Sequence, residues 1–165
     1  MGRPYSIGEN GVSKTIIMEL SHNFVIQDFV PHEIFQRFKR KSVRFINKDL
    51  IKMAESIMDR FGQKPMINNW YNKQEQEYYY NYSGYRPPIC KIGSYLSRHK
   101  QSLAIDIKLK GIQPQELEID IINNYNKYYS NSGITTIQTG NKHHVHLSCE
   151  FTLTDQLNII KPWKL

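Results

Sequence analysis

Cysteine is scarce in this chain. Cys90 and Cys149 are the only two in 165 residues, they lie far apart, and they form no CxxC pair. That excludes a disulfide-stapled scaffold and a cysteine zinc finger, and it leaves both as reduced packing residues. Long apolar runs are missing too. No stretch approaches the ~20 apolar residues that cross a bilayer, so no membrane partner is expected. The opening MGRPYSIGEN lacks the apolar core of a signal peptide. Such a start is expected of a protein made in the cytoplasm, and a target outside the cell would then require another delivery route.

Acidic side chains are in the minority, with 15 Asp and Glu against 22 Lys and Arg and a formal net charge of +7. A surface of that sign favours polyanions, of which nucleic acid and the anionic bacterial wall are two. The basic residues are spread out apart from Arg37, Lys39, Arg40, Lys41 and Arg44, a group that reads as a solvated face. Repeats and linkers are absent as well. A length of 165 residues then fits one domain over 1–165, and 39% hydrophobic with 22% charged residues fits a globular one.

What is present begins with helical periodicity. Ile34, Phe35 and Phe38 have helical spacing after Pro31, within 28–40. The clearest helix runs from Asn47, a good N-cap, to Gly62, a good stop. Its apolar stripe is Leu50, Ile51, Ala54, Ile57, Met58 and Phe61. A further helix starts near Pro114 and carries Leu117, Ile121, Ile122 and Tyr125.

Strand signals are shorter. Leu103 to Lys108 alternates, so Leu103, Ile105 and Ile107 face one way while Ala104 and Asp106 face the other. Ile134 to Thr139, the turn Gly140-Asn141-Lys142 and His143 to Cys149 read as a β-hairpin. Pro65 to Trp70 reads as a short strand, and Thr15 to Leu20 as a weak one. The tyrosine-rich segment Tyr71 to Tyr82 is expected to be a long loop beside a site, its rings serving as a stacking platform or as loop cover. From Thr152 the chain reads as an arm packed back by Leu157, Ile159, Ile160 and Trp163. The fold class expected is α+β, a small and mostly antiparallel sheet with packed helices.

Four of the six histidines fall in two short segments, Ser97-Arg98-His99 and His143-His144-Val145-His146. A lone histidine is usually structural, but here the neighbours change the reading. Asp106 stands in an aliphatic strand, where a buried carboxylate is costly unless paired or metal-bound. The alternative is a solvated strand face, which carries no such cost. His144 and His146 are two apart and share a face. Two histidines and a carboxylate form a zinc set with one position open for water, the chemistry of amide hydrolysis.

The stretch Ser97-Arg98-His99-Lys100-Gln101-Ser102-Leu103-Ala104-Ile105-Asp106 resembles the S-x-H-x-x-G-x-A-x-D signature of a zinc peptidase family. These are the D-alanyl-D-alanine carboxypeptidases and L-alanyl-D-glutamate endopeptidases, which share a fold with the hedgehog signalling domain. His144-Val145-His146-Leu147 resembles the family's second motif, and Ser83-Gly84-Tyr85-Arg86 its S-G-Y-R turn. The helix from Asn47 to Phe61 followed by Asn68-Asn69-Trp70 also resembles phage and bacterial members, so the likeness covers about 24–149. The resemblance implies His99, Asp106 and His146 as ligands of Zn2+, and Arg86 as holder of a substrate carboxylate or of the developing oxyanion. Ser97 would help to bind substrate. Three positions depart from the pattern: Ser102 replaces the glycine, His143 the acidic residue three before the last ligand, and Ser148 the aspartate two after it.

The expected function is zinc-dependent hydrolysis of peptidoglycan stem peptides at the bacterial wall, by a phage endolysin or a virion-associated lysin. For the general base, family position favours His143 and strand geometry favours His144. Two other readings compete. One is a non-catalytic wall-binding or virion structural protein of the same fold, which the three departures support. The other, a basic zinc nuclease, lacks a nuclease signature and leaves Ser83 to Arg86 unexplained, so no specific nucleic acid is expected. The oligomeric state stays open.

Overall fold

A computed structural model of the chain describes residues 19–72, 79–150 and 156–161. The alternating run becomes β1, Ala104–Ile107, and the hairpin becomes β2, Thr136–Gln138, and β3, Val145–Ser148. With β4, Asn158–Ile160, they form a four-stranded sheet in the order β1-β3-β2-β4. β3 pairs antiparallel with both β1 and β2, whereas β4 runs parallel to β2. The chain is therefore α+β with a small mixed sheet in which antiparallel pairing dominates.

The helices are α1, Ile26–Phe29, α2, His32–Phe38, α3, Lys48–Phe61, and α4, Pro114–Asn124. Asn47 caps α3 by accepting the Asp49 amide at 3.1 Å, and Gly62 ends it with φ +65°. Leu50, Met53, Ala54 and Ile57 of α3 join Ile105 and Ile107 of β1 and Val145 and Leu147 of β3 in the main core. A second cluster, around Ile26, Val30, Phe35, Trp70 and Tyr85, lies under the first helices. Among the described residues no helix is long and apolar enough to cross a membrane.

Several local expectations are corrected. Within 28–40 the helix after Pro31 forms as α2 with Ile34, Phe35 and Phe38, but the residues before it are not continuous with it, because Val30 and Pro31 are extended. Pro65 to Trp70 forms no strand beyond one bridge, Met66 to Lys108, since the next amides turn to other partners, Asn68 to Asp28 and Asn69 to Tyr80. The C-terminal arm is held by backbone pairing rather than by its isoleucines, for Ile159 and Ile160 remain 42% and 40% exposed. Leu157 does pack on the core, while Trp163 lies outside the described residues. So does most of the weak Thr15 to Leu20 strand, whose described end bridges Glu19 to Val25. Both cysteines are free and half-buried, and burial pushes the Cys149 thiol up to about 11. Arg37, Lys39, Arg40, Lys41 and Arg44 are all exposed.

Ser102 shows how the turn before β1 keeps its shape without glycine. Its φ is +58°, a left-handed conformation that costs an L-residue roughly 1–2 kcal/mol. The side chain offsets that strain. Its Oγ donates to the Phe45 carbonyl at 2.6 Å and accepts the Asn47 amide at 3.2 Å, which ties the turn to the start of α3. Ser102→Ala keeps the strain and loses both bonds, so it should lower unfolding free energy by about 1–3 kcal/mol. Ser102→Gly loses the bonds but also the strain, and should cost less. Urea unfolding of the three proteins checks the order Ser, Gly, Ala; alanine outlasting glycine would contradict this account.

Candidate metal centre

Sheet register brings the first two candidate ligands together. Asp106 of β1 stands directly opposite His146 of β3, so their side chains are cross-strand neighbours on one face. The His146 Nδ1 lies 2.8 Å from Asp106 Oδ1. His99 enters from the preceding turn, with Nε2 3.2 Å from both Asp106 Oδ1 and His146 Nδ1. These three residues form a group that can hold a metal ion.

The Ser83–Arg86 turn builds the wall behind them. The Ser83 carbonyl accepts the Asp106 amide at 2.7 Å, and the Gly84 carbonyl accepts His99 Nδ1–H at 2.8 Å. Tyr85 donates its amide to the Phe29 carbonyl at 2.7 Å and stacks on Phe45, while the Arg86 amide donates to the His99 carbonyl at 3.1 Å. Only glycine fits second in this turn, because a Cβ on Gly84 would sit 2.2 Å from the Phe29 carbonyl oxygen.

These contacts fix the hydrogens. A carbonyl can only accept, so His99 carries its hydrogen on Nδ1, and the neutral ring presents a bare Nε2 lone pair to Asp106. Burial pushes the His99 imidazole below its usual value, against the pull of Asp106, so a second proton is disfavoured there. Burial alone would raise Asp106. The hydrogen bond from His146, with the influence of His99 and His144 beside it, outweighs that and holds the carboxyl far below the usual range. An anion and a lone pair thus face each other in a buried site with one shared hydrogen, on His146 Nδ1. A cation resolves that conflict better than the hydrogen does. The triangle of 2.8, 3.2 and 3.2 Å edges is also close to the spacing of about 3.3–3.4 Å implied by tetrahedral zinc bonds of ~2.0–2.1 Å. The donor set therefore fits a metal ion. The hydrogen bond of His99 to Gly84, and that of Arg86 to Asp106, are the outer contacts that orient such ligands.

The other sequence candidates divide. His144 points to the cluster, with Nε2 3.4 Å from Asp106 Oδ1, although it lies outside the mutual ligand set. Burial lowers its imidazole too. His143 is exposed and has its amide on Asn141. Arg86 gives Nη2 to Asp106 Oδ2 at 2.9 Å and Nε to the Tyr82 carbonyl at 2.6 Å, so it braces the carboxylate of that candidate ligand. Ser97 is half-buried in the following loop. A Cβ on Gly93 would meet Arg86 Nη1 at 3.1 Å and Ser97 Oγ at 3.2 Å, so both flank that glycine. Ser148 is buried and donates to Glu150 at 3.3 Å, and Glu150 in turn takes the Arg98 guanidinium.

One residue of the site escaped the sequence reading. Lys108 follows Asp106 by two and so projects to the same face, a signal the alternation contained. Its Nζ donates to Ser83 Oγ at 3.2 Å and sits 3.9 Å from the Tyr80 ring centre. Burial lowers the ammonium to about 8, aided by Arg86 and resisted by Asp106.

Compared with protein-family models, with curated proteins and with solved structures, the chain matches none.

Two outcomes follow from this geometry. Metal analysis of purified protein should find close to one bound ion per chain, lost in His99→Ala, Asp106→Ala and His146→Ala but kept in His143→Ala; full occupancy without His146 would contradict the ligand set. Lys108 sets a pH test. Its folded value is below its unfolded one, so the charged form destabilises the fold below pH 8, and that cost lifts as pH rises from about 8 toward 10.5. Metal-free Lys108→Met should be the more stable protein at pH 7, by up to about 3 kcal/mol, with the difference shrinking above pH 8. A difference that is constant with pH in thermal unfolding would contradict the assignment.

Proposed function

We propose that the chain is a zinc-dependent peptidase acting on peptidoglycan stem peptides, with the hedgehog/DD-peptidase type of fold. The observation that carries the reading is the convergence of His99 Nε2, Asp106 Oδ1 and His146 Nδ1 within one hydrogen-bond radius, with His99 braced from behind by Gly84 and Asp106 by Arg86. Two imidazoles and one carboxylate with a further position for water make the donor set of hydrolytic zinc. The order of Ser83–Arg86, Ser97–Asp106 and His144–Leu147 along the chain resembles that family and adds the substrate class. Delivery by a phage, as endolysin or virion component, accords with the resemblance.

Bound at this site, zinc would acidify water and polarise the scissile carbonyl. The chain's own residues supply the rest. His144 is the general base in this reading, because its imidazole adjoins Asp106 and burial keeps it neutral. It takes a proton from the attacking water at Nε2 and returns it to the leaving amine. Arg86 holds Asp106 by Oδ2, which keeps Oδ1 aimed at the centre. Lys108 adds positive charge on the same face, where an anionic transition state gains from it. Ser97 and the Nη1 arm of Arg86 face the Gly93 loop, where a substrate carboxylate would be received.

A non-catalytic wall-binding role draws on one observation: the position three before His146 is the exposed His143 rather than a carboxylate. Digestion decides between them. Zinc-loaded protein should release new amino groups from purified peptidoglycan, and His144→Ala should lose at least about 100-fold in kcat with zinc still bound. His143→Ala should stay near the parent rate. No release by the parent protein would remove the peptidase reading and leave the binding one, and full activity in His144→Ala would remove this base.

A further inference from the structure

The β2–β3 turn holds His144 through a side chain that the mechanism above does not use. Asn141 spans the turn: its Oδ1 accepts the His143 amide at 2.9 Å, and its Nδ2 lies 3.0 Å from His144 Nε2. An amide N–H can only donate, so the atom it meets must be the Asn141 oxygen, and the NH2 group is thereby turned to the imidazole. That group donates in turn, so Nε2 of His144 must be the bare nitrogen and its ring hydrogen must sit on Nδ1.

The turn itself is clamped. Buried Glu118 of α4 takes the Gly140 amide on both carboxylate oxygens, at 3.0 and 3.2 Å. The Asp106 contact cannot make this choice, since 3.4 Å is long for a hydrogen bond and a carboxylate would ask for a hydrogen on Nε2 instead.

We infer that Asn141 is a positioning residue that selects the tautomer of His144, keeping the ring hydrogen on Nδ1 and leaving Nε2 an acceptor beside the candidate metal centre. The consequence for catalysis rests on the peptidase reading; the tautomer does not. A base must offer a lone pair to the water it deprotonates: in this tautomer the water takes over the Nε2 lone pair from the Asn141 amide, whereas the opposite tautomer would offer a hydrogen there.

The test uses the full chain with 15N-labelled histidine at pH 8, loaded with zinc and read by two-bond proton–nitrogen correlation. His144 should carry its hydrogen on Nδ1 in the parent protein. Asn141→Asp should move it to Nε2, because one carboxylate oxygen still accepts the His143 amide and the other now faces the ring as an acceptor. Zinc content and KM should hold while kcat falls at least about 100-fold. A hydrogen on Nε2 in the parent overturns the inference, a measurement that needs no variant to fold. So does an unmoved hydrogen in Asn141→Asp, or a moved one with kcat unchanged. If the hydrogen moves as expected while the parent itself hydrolyses nothing, the peptidase reading fails and the positioning role stands.

Discussion

A carboxylate in the middle of an aliphatic strand is the constraint around which this fold is arranged. Asp106 is 4% exposed, between Ile105 and Ile107, which are fully buried. An unpaired charge there would cost several kcal/mol, more than a small domain can lose. The structure meets the cost with contacts drawn from across the chain: His146 from the opposing strand, His99 from the turn before β1, and Arg86 from the 83–86 turn. Each of these has a second partner, so none can move without disturbing another. The result is a centre held before any ligand arrives.

That arrangement depends on small devices in the backbone. Gly84 allows the turn to touch the Phe29 carbonyl, and this contact joins the first helices to the wall of the site. Ser102 takes a left-handed conformation and links the His99 turn to the cap of α3 through its hydroxyl. The Phe45–Tyr85 stack adds an apolar tie between the residues before α3 and the 83–86 turn. Sheet register then fixes the distance that matters most, because a slip of one residue would turn Asp106 or His146 away from the other.

Elements with a strong period were legible in the sequence. α3 announces itself by Asn47, Gly62 and its apolar stripe, and β1 and the hairpin by alternation and a glycine turn. The candidate ligands were legible through the motifs, since Ser97–Asp106 and His144–Leu147 resemble a family pattern whose order implies His99, Asp106 and His146. What escaped was what tertiary partners decide. The extended residues at Val30 and Pro31 and the single bridge at Met66 go with contacts distant in sequence, to Trp70 and to Lys108. The tyrosine-rich segment is known at its two ends, where Tyr71 bonds Asp28 and Tyr80 lies under Lys108; residues 73–78 lie outside the described ones. Lys108 could have been found from its spacing to Asp106, and Asn141 only from the way its amide is oriented. His143 and His144 both precede β3, and where the β2–β3 turn ends is a boundary that the spacing of the histidines alone does not set.

The central claim is that zinc sits on two imidazoles and one carboxylate with no sulfur. X-ray absorption at the zinc edge of the loaded protein tests it most directly. The account predicts a nitrogen and oxygen shell at about 2.0–2.1 Å with the outer-shell pattern of two histidine rings. A sulfur shell at about 2.3 Å, or a shell with no histidine pattern, would contradict it.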